Sequence, residues 1–198
     1  LGGKGKVEIP NCSRQDLPKL FKDLGFKVGA EIGAYKGVFT KKFCEVGLKV
    51  YAIDPWLPYE GYHNSRTGFD KRSEYLHKLT KRRLAPYDCE VIRKMSMDAV
   101  KDFEDDSLDF VYIDGNHSLK YVVEDIHEWA FKVKDGGIIS GHDYALSNTI
   151  RVKYAVDALT RAYNISPWFV LGSMNKASDE EVRDKWRSWM WVNKKHVN

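Results

Sequence analysis

The chain has 198 residues, 43% of them hydrophobic, and a formal net charge of +4. That length and apolar content suit one domain with a full core, and no apolar run approaches the roughly 18 residues that span a bilayer. The excess charge is local: residues 59–83 hold seven cations and three acids, which leaves the remainder neutral and speaks against a protein that binds nucleic acid through its whole surface.

The first ten residues, LGGKGKVEIP, lack the apolar stretch of a secretory signal and are expected to be a frayed end or an expression remnant. Ser13 to Asp16 reads as a capping box, and Pro18 suits a first turn. Leu17, Leu20, Phe21 and Leu24 then recur at helical spacing until Gly25, which gives an N-terminal helix over about 13–25. Residues 28–33 predict a strand, 37–46 a helix with Phe39, Phe43 and Val46 on one face, and LKVYAID a second strand. Residues 55–72, PWLPYEGYHNSRTGFDKR, carry two prolines, two glycines and four aromatics without any period. With the basic helix expected at 73–84 they form a lid-like insertion over about 55–83, since irregular stretches this long inside a compact domain are usually functional or mobile.

CEVI is the third strand, SMDAVKDF a short helix and LDFVYID the fourth strand. Val122, Ile126, Trp129, Ala130 and Val133 mark an amphipathic helix that ends at Gly136–Gly137, and GIISGHD is the fifth strand. Val152, Ala155, Val156, Leu159 and Tyr163 mark another helix, and PWFVLG and SWMWVN read as two closing strands that pair antiparallel. The four tryptophans there, Trp168, Trp186, Trp189 and Trp191, suit core packing or a subunit contact better than substrate stacking. Cys12, Cys44 and Cys89 are odd in number and lack C-x-x-C spacing, which argues for a reducing, cytoplasmic setting over a disulfide framework.

The first five strands are short continuous apolar runs separated by helices, the pattern of a parallel sheet covered on both faces. Ligands of such sheets sit at the carboxyl ends of the strands, and the polar residues gather there: Glu31 and Gly33, Asp54, Asp114 with His117, and His142–Asp143. Gly33 and Gly37 allow close backbone approach beside a helix N-terminus. Tyr35, however, takes the slot of the glycine that admits a pyrophosphate, and Glu31 would repel phosphate. Asp54, 21 residues after Gly33, suits the two hydroxyls of a ribose, with strand-end capping as the alternative. The combination fits a nucleoside with a cationic tail, such as S-adenosylmethionine, better than NAD.

AEIGAYKGVFT followed by YAIDPW resembles the first two motifs of class I S-adenosylmethionine-dependent methyltransferases. The tyrosine in the glycine loop is similar to that of the small metal-dependent O-methyltransferases of the catechol type, and DFVYIDGNHSLKYVVEDI and KDGGIISGHDY resemble later motifs of the macrocin O-methyltransferase type. The likeness covers about residues 27–145. It implies a Rossmann-like α/β fold with a seven-stranded, mostly parallel sheet whose last strand is antiparallel. It further implies that Glu31, Gly33 and Ala34 line the methionine part of the cofactor, that Tyr35, Gly37 and Asp114 also belong to the cofactor site, that Asp54 holds the ribose, that Trp56 covers the adenine and that Ser96 lies near its edge. Asp114, His142 and Asp143 would hold a divalent metal, magnesium or manganese, and His117 would be the general base. His142 departs from the carboxylates usual there, and a mixed shell suits manganese, iron or zinc better than magnesium.

A hydroxyl is a poor nucleophile until deprotonated, and a divalent cation together with a histidine answers that need. The expected reaction is O-methylation of a sugar or small-molecule hydroxyl, and the acceptor is expected to be a small, sometimes anionic molecule. No membrane partner and no nucleic acid are expected, and a homo-oligomer remains open. Two alternatives stand: a nucleic-acid methyltransferase using the basic 66–83 segment, and a cofactor-binding module without turnover.

Overall fold

The computed structural model describes residues 5–57, 69–147, 149–175, 178, 180–184 and 186–194. Residues 58–68 of the expected insertion lie outside them. The strands are β1 (Lys6–Ile9), β2 (Val28–Ile32), β3 (Lys49–Ile53), β4 (Cys89–Ile92), β5 (Leu108–Ile113), β6 (Val133–Gly141), β7 (Trp168–Leu171) and β8 (Ser188–Val192). The helices are α1 (Leu17–Asp23), α2 (Val38–Glu45), α3 (Phe69–Leu84), α4 (Ser96–Ala99), α5 (Leu119–Lys132) and α6 (Val152–Ala162).

The eight strands form one sheet in the order β1-β7-β8-β6-β5-β2-β3-β4. Only β8 runs against its neighbours, pairing antiparallel with both β6 and β7. The mostly parallel sheet with a final antiparallel strand is therefore as expected, but among the described residues it has eight strands, not seven. The extra strand is the segment expected to fray: Lys6–Ile9 pairs in parallel with Trp168–Leu171 at the sheet edge. KVEI alternates polar and apolar, but four residues are too short a run to read as a strand; the partner strand 162 residues away supplies the ladder that fixes them.

Alternation divides the core. In β5, Phe110 and Tyr112 face α1 and α2, where they meet Leu17, Phe21, Phe39 and Phe43. Val111 and Ile113 face the other way, toward Ile126 and Trp129 of α5 and Val152, Ala155 and Val156 of α6. Strand β5 is thus buried on both faces, and its sequence is nearly a continuous apolar run. Trp168, Trp189 and Trp191 are buried in this second layer, with the Trp189 and Trp191 rings stacked at 5.0 Å, which agrees with the core-packing expectation. The expected capping box is also present: Ser13 Oγ accepts from Gln15 N at 3.2 Å and Asp16 Oδ2 accepts from Ser13 N at 2.8 Å. It heads a single 3-10 turn, Arg14–Asp16, before α1. The basic helix α3 begins at Phe69, four residues earlier than its periodicity suggests. Among the described residues no helix is long and apolar enough to cross a membrane.

Candidate active site

The loop after β2 is built by backbone demands. Gly33 has φ +93°, and a Cβ there would stand 2.2 Å from the Asp114 carbonyl oxygen, so no other residue fits. Tyr35 (φ +45°) and Trp56 (φ +44°) are also left-handed, an arrangement that persists only where surrounding contacts hold it. Asp54 supplies such contacts. Its carboxylate accepts from Tyr35 N at 3.0 Å and from Trp56 N at 2.7 Å, tying the loop after β2 to the end of β3. Burial raises the Asp54 pKa, and those two N–H donors oppose the rise. The Trp56 indole N–H and the Thr80 hydroxyl both donate to the Tyr35 carbonyl, each at 2.7 Å.

A cavity of about 830 Å³ opens at the carboxyl ends of β2, β3, β4 and β5. Of the residues expected at the site, Gly33, Tyr35, Asp54, Trp56, Ser96, Asp114 and His117 line it. Glu31, Ala34, Gly37, His142 and Asp143 are not on its wall. Glu31 pairs in register with Tyr112, which puts its side chain on the α1–α2 face of the sheet. There it is 2% exposed and accepts a short hydrogen bond from the Thr40 hydroxyl of α2. Burial pushes its pKa up to about 8 despite that bond. Ala34 is buried with Trp56, Leu76 and Leu84, and Gly37 caps α2 in a left-handed conformation.

At the mouths of β5 and β6, Asp114, His117 and Asp143 each offer one ligand atom within 4.8 Å of the others. His117 Nε2 stands 2.9 Å from Asp143 Oδ2 and 3.7 Å from Asp114 Oδ1. It is buried, yet its geometry makes no hydrogen bond with either. Burial lowers the pKa of His117, but the two carboxylates outweigh it and push the pKa up to about 10. Asp143 shows the converse: burial raises its pKa, and His117 and His142 hold it well below the usual carboxylate range. Without a cation between them, the two carboxylates thus favour the protonated imidazole. His142 differs from expectation. It lies on the far side of Asp143, 3.4 Å from Asp143 Oδ1 and 3.9 Å from Asp184 Oδ2, outside the Asp114–His117–Asp143 group.

Two residues escaped the sequence reading. Arg14, in the turn before α1, places Nη1 3.2 Å from Asp114 Oδ2 and stacks its guanidinium 5.2 Å from the Phe39 ring centre. Nothing local marks it, since its partner lies 100 residues away. Asp125 of α5 lines the cavity while only 4% exposed. Its Oδ1 accepts from Ser96 Oγ, which in turn accepts from the Trp129 indole N–H at 2.8 Å. Burial pushes Asp125 up to about 7, against the Ser96 hydrogen bond. A signal did exist here, because Asp125 interrupts the apolar stripe Val122–Ile126–Trp129.

A family model described as a methyltransferase domain matches residues 30–144, more than half of the chain. No curated protein matches significantly. Among solved structures, an O-methyltransferase from Bacillus cereus in complex with SAH is 14% identical, with a TM-score of 0.61, covering 90% of this chain and 80% of that one. The N-methyltransferase NodS from Bradyrhizobium japonicum is 12% identical, with a TM-score of 0.59, covering 92% and 95%. The CurJ carbon methyltransferase is 10% identical, with a TM-score of 0.61, covering 92% of this chain and 54% of that one. At such identities the likeness is one of fold, and it spans enzymes named for oxygen, nitrogen and carbon acceptors. The chain belongs to the methyltransferase-domain family and has the class I S-adenosylmethionine-dependent methyltransferase fold.

Proposed function

We propose that the protein transfers a methyl group from S-adenosylmethionine to a hydroxyl of a small molecule, such as a sugar, with a divalent cation held by Asp114, His117 and Asp143. The observation that carries the reading is the buried, unbonded Nε2 of His117 facing two carboxylates. Buried polar atoms are rarely left without a partner, and two carboxylates with one imidazole are a fitting donor set for manganese, iron or zinc. A cation bound there would supply Lewis acidity toward the acceptor hydroxyl. In this reading His117 is a ligand, and it is not the proton acceptor.

The remaining work falls to residues of the cavity. Asp54 receives the ribose hydroxyls with the lone pairs its two backbone donors leave open. Trp56 and Tyr35 wall the nucleoside from the α3 side. At about 830 Å³ the cavity accommodates the cofactor and a small acceptor together, which supports a small molecule over a polymer as substrate.

Purified protein is stripped with chelator, titrated with Mn²⁺ by electron paramagnetic resonance, and assayed with S-adenosylmethionine against hydroxylated acceptors. Saturable Mn²⁺ binding that Asp114→Asn and His117→Ala abolish, with turnover restored by Mn²⁺, is the expected result. Undiminished turnover in chelator overturns the metal role. Methyl groups found only on nitrogen or carbon overturn O-methylation.

A further inference from the structure

We propose that Arg14 forms a subsite for a carboxylate on the methyl acceptor, so that the molecule methylated at this site is a hydroxy acid. The inference rests on the metal reading above and extends it to the class of acceptor.

The guanidinium stands beside the Asp114–His117–Asp143 group but off the wall of the cofactor cavity. Asp114 separates it from the imidazole: Oδ2 faces Arg14 Nη1 at 3.2 Å, and Oδ1 faces His117 Nε2 at 3.7 Å. A single carboxyl group thus lies between the guanidinium and the ligand atoms. An acceptor whose hydroxyl rests on those atoms would carry its nearest substituents past Arg14. The place is open to an incoming molecule, since the side chains of Arg14, Asp114 and His117 are 32%, 22% and 34% exposed.

Charge decides what that substituent is. A divalent cation held by two carboxylates and a neutral imidazole is balanced, and Asp114 then has less charge to share with Arg14. The guanidinium itself cannot lose its proton. Its other polar neighbours are Asp184 and the Tyr112 hydroxyl, which also meets Ser188 Oγ at 3.3 Å. These take up fewer N–H donors than the guanidinium has. The fork is also held in place. The Phe39 ring lies 5.2 Å from it, and the Ser13–Asp16 capping box fixes the turn that carries it. A planar, pre-oriented fork meets a carboxylate through two parallel hydrogen bonds at little ordering cost. With Asp114 and Asp184 nearby, a singly charged carboxylate suits the place better than a phosphate dianion.

The test is calorimetric titration of protein saturated with Mn²⁺ and S-adenosylhomocysteine, using acid and amide pairs: protocatechuate with protocatechuamide, and glucuronate with glucuronamide. In at least one pair, wild type should bind the acid at least about tenfold more tightly, and Arg14→Gln should reduce that ratio about tenfold by weakening the acid alone. Saturating Mn²⁺ keeps any change in metal affinity out of the comparison. A ratio within about twofold in wild type overturns the proposal, as does a preference that survives in Arg14→Gln or a variant that weakens acid and amide alike. Glucose 6-phosphate bound more tightly than glucuronate overturns the assignment to a carboxylate. The wild-type ratio is read whether or not the variant folds. If no Mn²⁺ binds, the subsite falls together with the metal reading; if Mn²⁺ binds and neither pair does, the subsite alone falls.

Discussion

Replacing Glu31 by glutamine should stabilise the ligand-free protein, and increasingly so as pH rises. The carboxyl is 2% exposed, and burial moves its pKa from an ordinary 4.5 to about 8. Between those limits the folded protein holds a proton that the unfolded chain has released. Its contribution is therefore fully present below pH 4.5 and is lost as pH rises through 8. Each interval of one pH removes about 1.4 kcal/mol while only the unfolded form is ionised, so the loss between pH 5.5 and 8.5 comes to about 3 kcal/mol. Glutamine resembles the neutral acid, keeps an acceptor for the Thr40 hydroxyl and does not titrate. Other buried groups tilt the profile too, among them Asp125 and His117, but the substitution leaves those in place. Urea unfolding of both proteins at the two pH values isolates the Glu31 share. The stability gap in favour of glutamine should widen by about 3 kcal/mol from pH 5.5 to 8.5. Parallel profiles would refute the reasoning and show that the carboxylate is tolerated where it stands.

Gly33→Ala forces a Cβ to 2.2 Å from the Asp114 carbonyl at φ +93°, and should cost at least about 2 kcal/mol in denaturant unfolding together with loss of S-adenosylhomocysteine binding. Asp54→Ala deprives the Tyr35 and Trp56 amides of their acceptor. It should lower stability by about 2 kcal/mol and weaken S-adenosylhomocysteine at least about tenfold by calorimetry; unchanged affinity would leave Asp54 as a strand-end cap. Arg14→Gln removes a cation that already engages Asp114. Mn²⁺ affinity should rise about fivefold, since a part-exposed pair is worth about 1 kcal/mol; a fall would mean that Arg14 supports the site instead of competing for it.

Much of the cavity was legible because its residues sit where apolar runs stop. Asp54 and Asp114 follow Ile53 and Ile113 directly, and the rule that parallel sheets bind at their carboxyl ends made each a candidate. Glu31 misled because it is one residue short of its strand's end. Strand alternation sends its side chain through the sheet to Thr40, on the side away from the cavity. His142 misled for a related reason: proximity to Asp143 in sequence gave no side-chain direction, and Asp143 itself adopts a left-handed φ of +56°. Asp125 was visible as an acid in an apolar helical stripe, though its meaning needed Ser96 and Trp129.

The order of apolar runs, glycines and strand-end acids determined by itself that this chain forms a doubly covered, mostly parallel sheet with its polar cavity at the carboxyl edge. Those features are local, and burial of short runs on both faces leaves few ways to arrange them. Tertiary structure alone decided the eighth strand, the Arg14–Asp114 pair and the grouping of His117 with two carboxylates. Each depends on side chains or strands meeting across the fold, where direction and distance, and not sequence spacing, determine the partner and with it the protonation state.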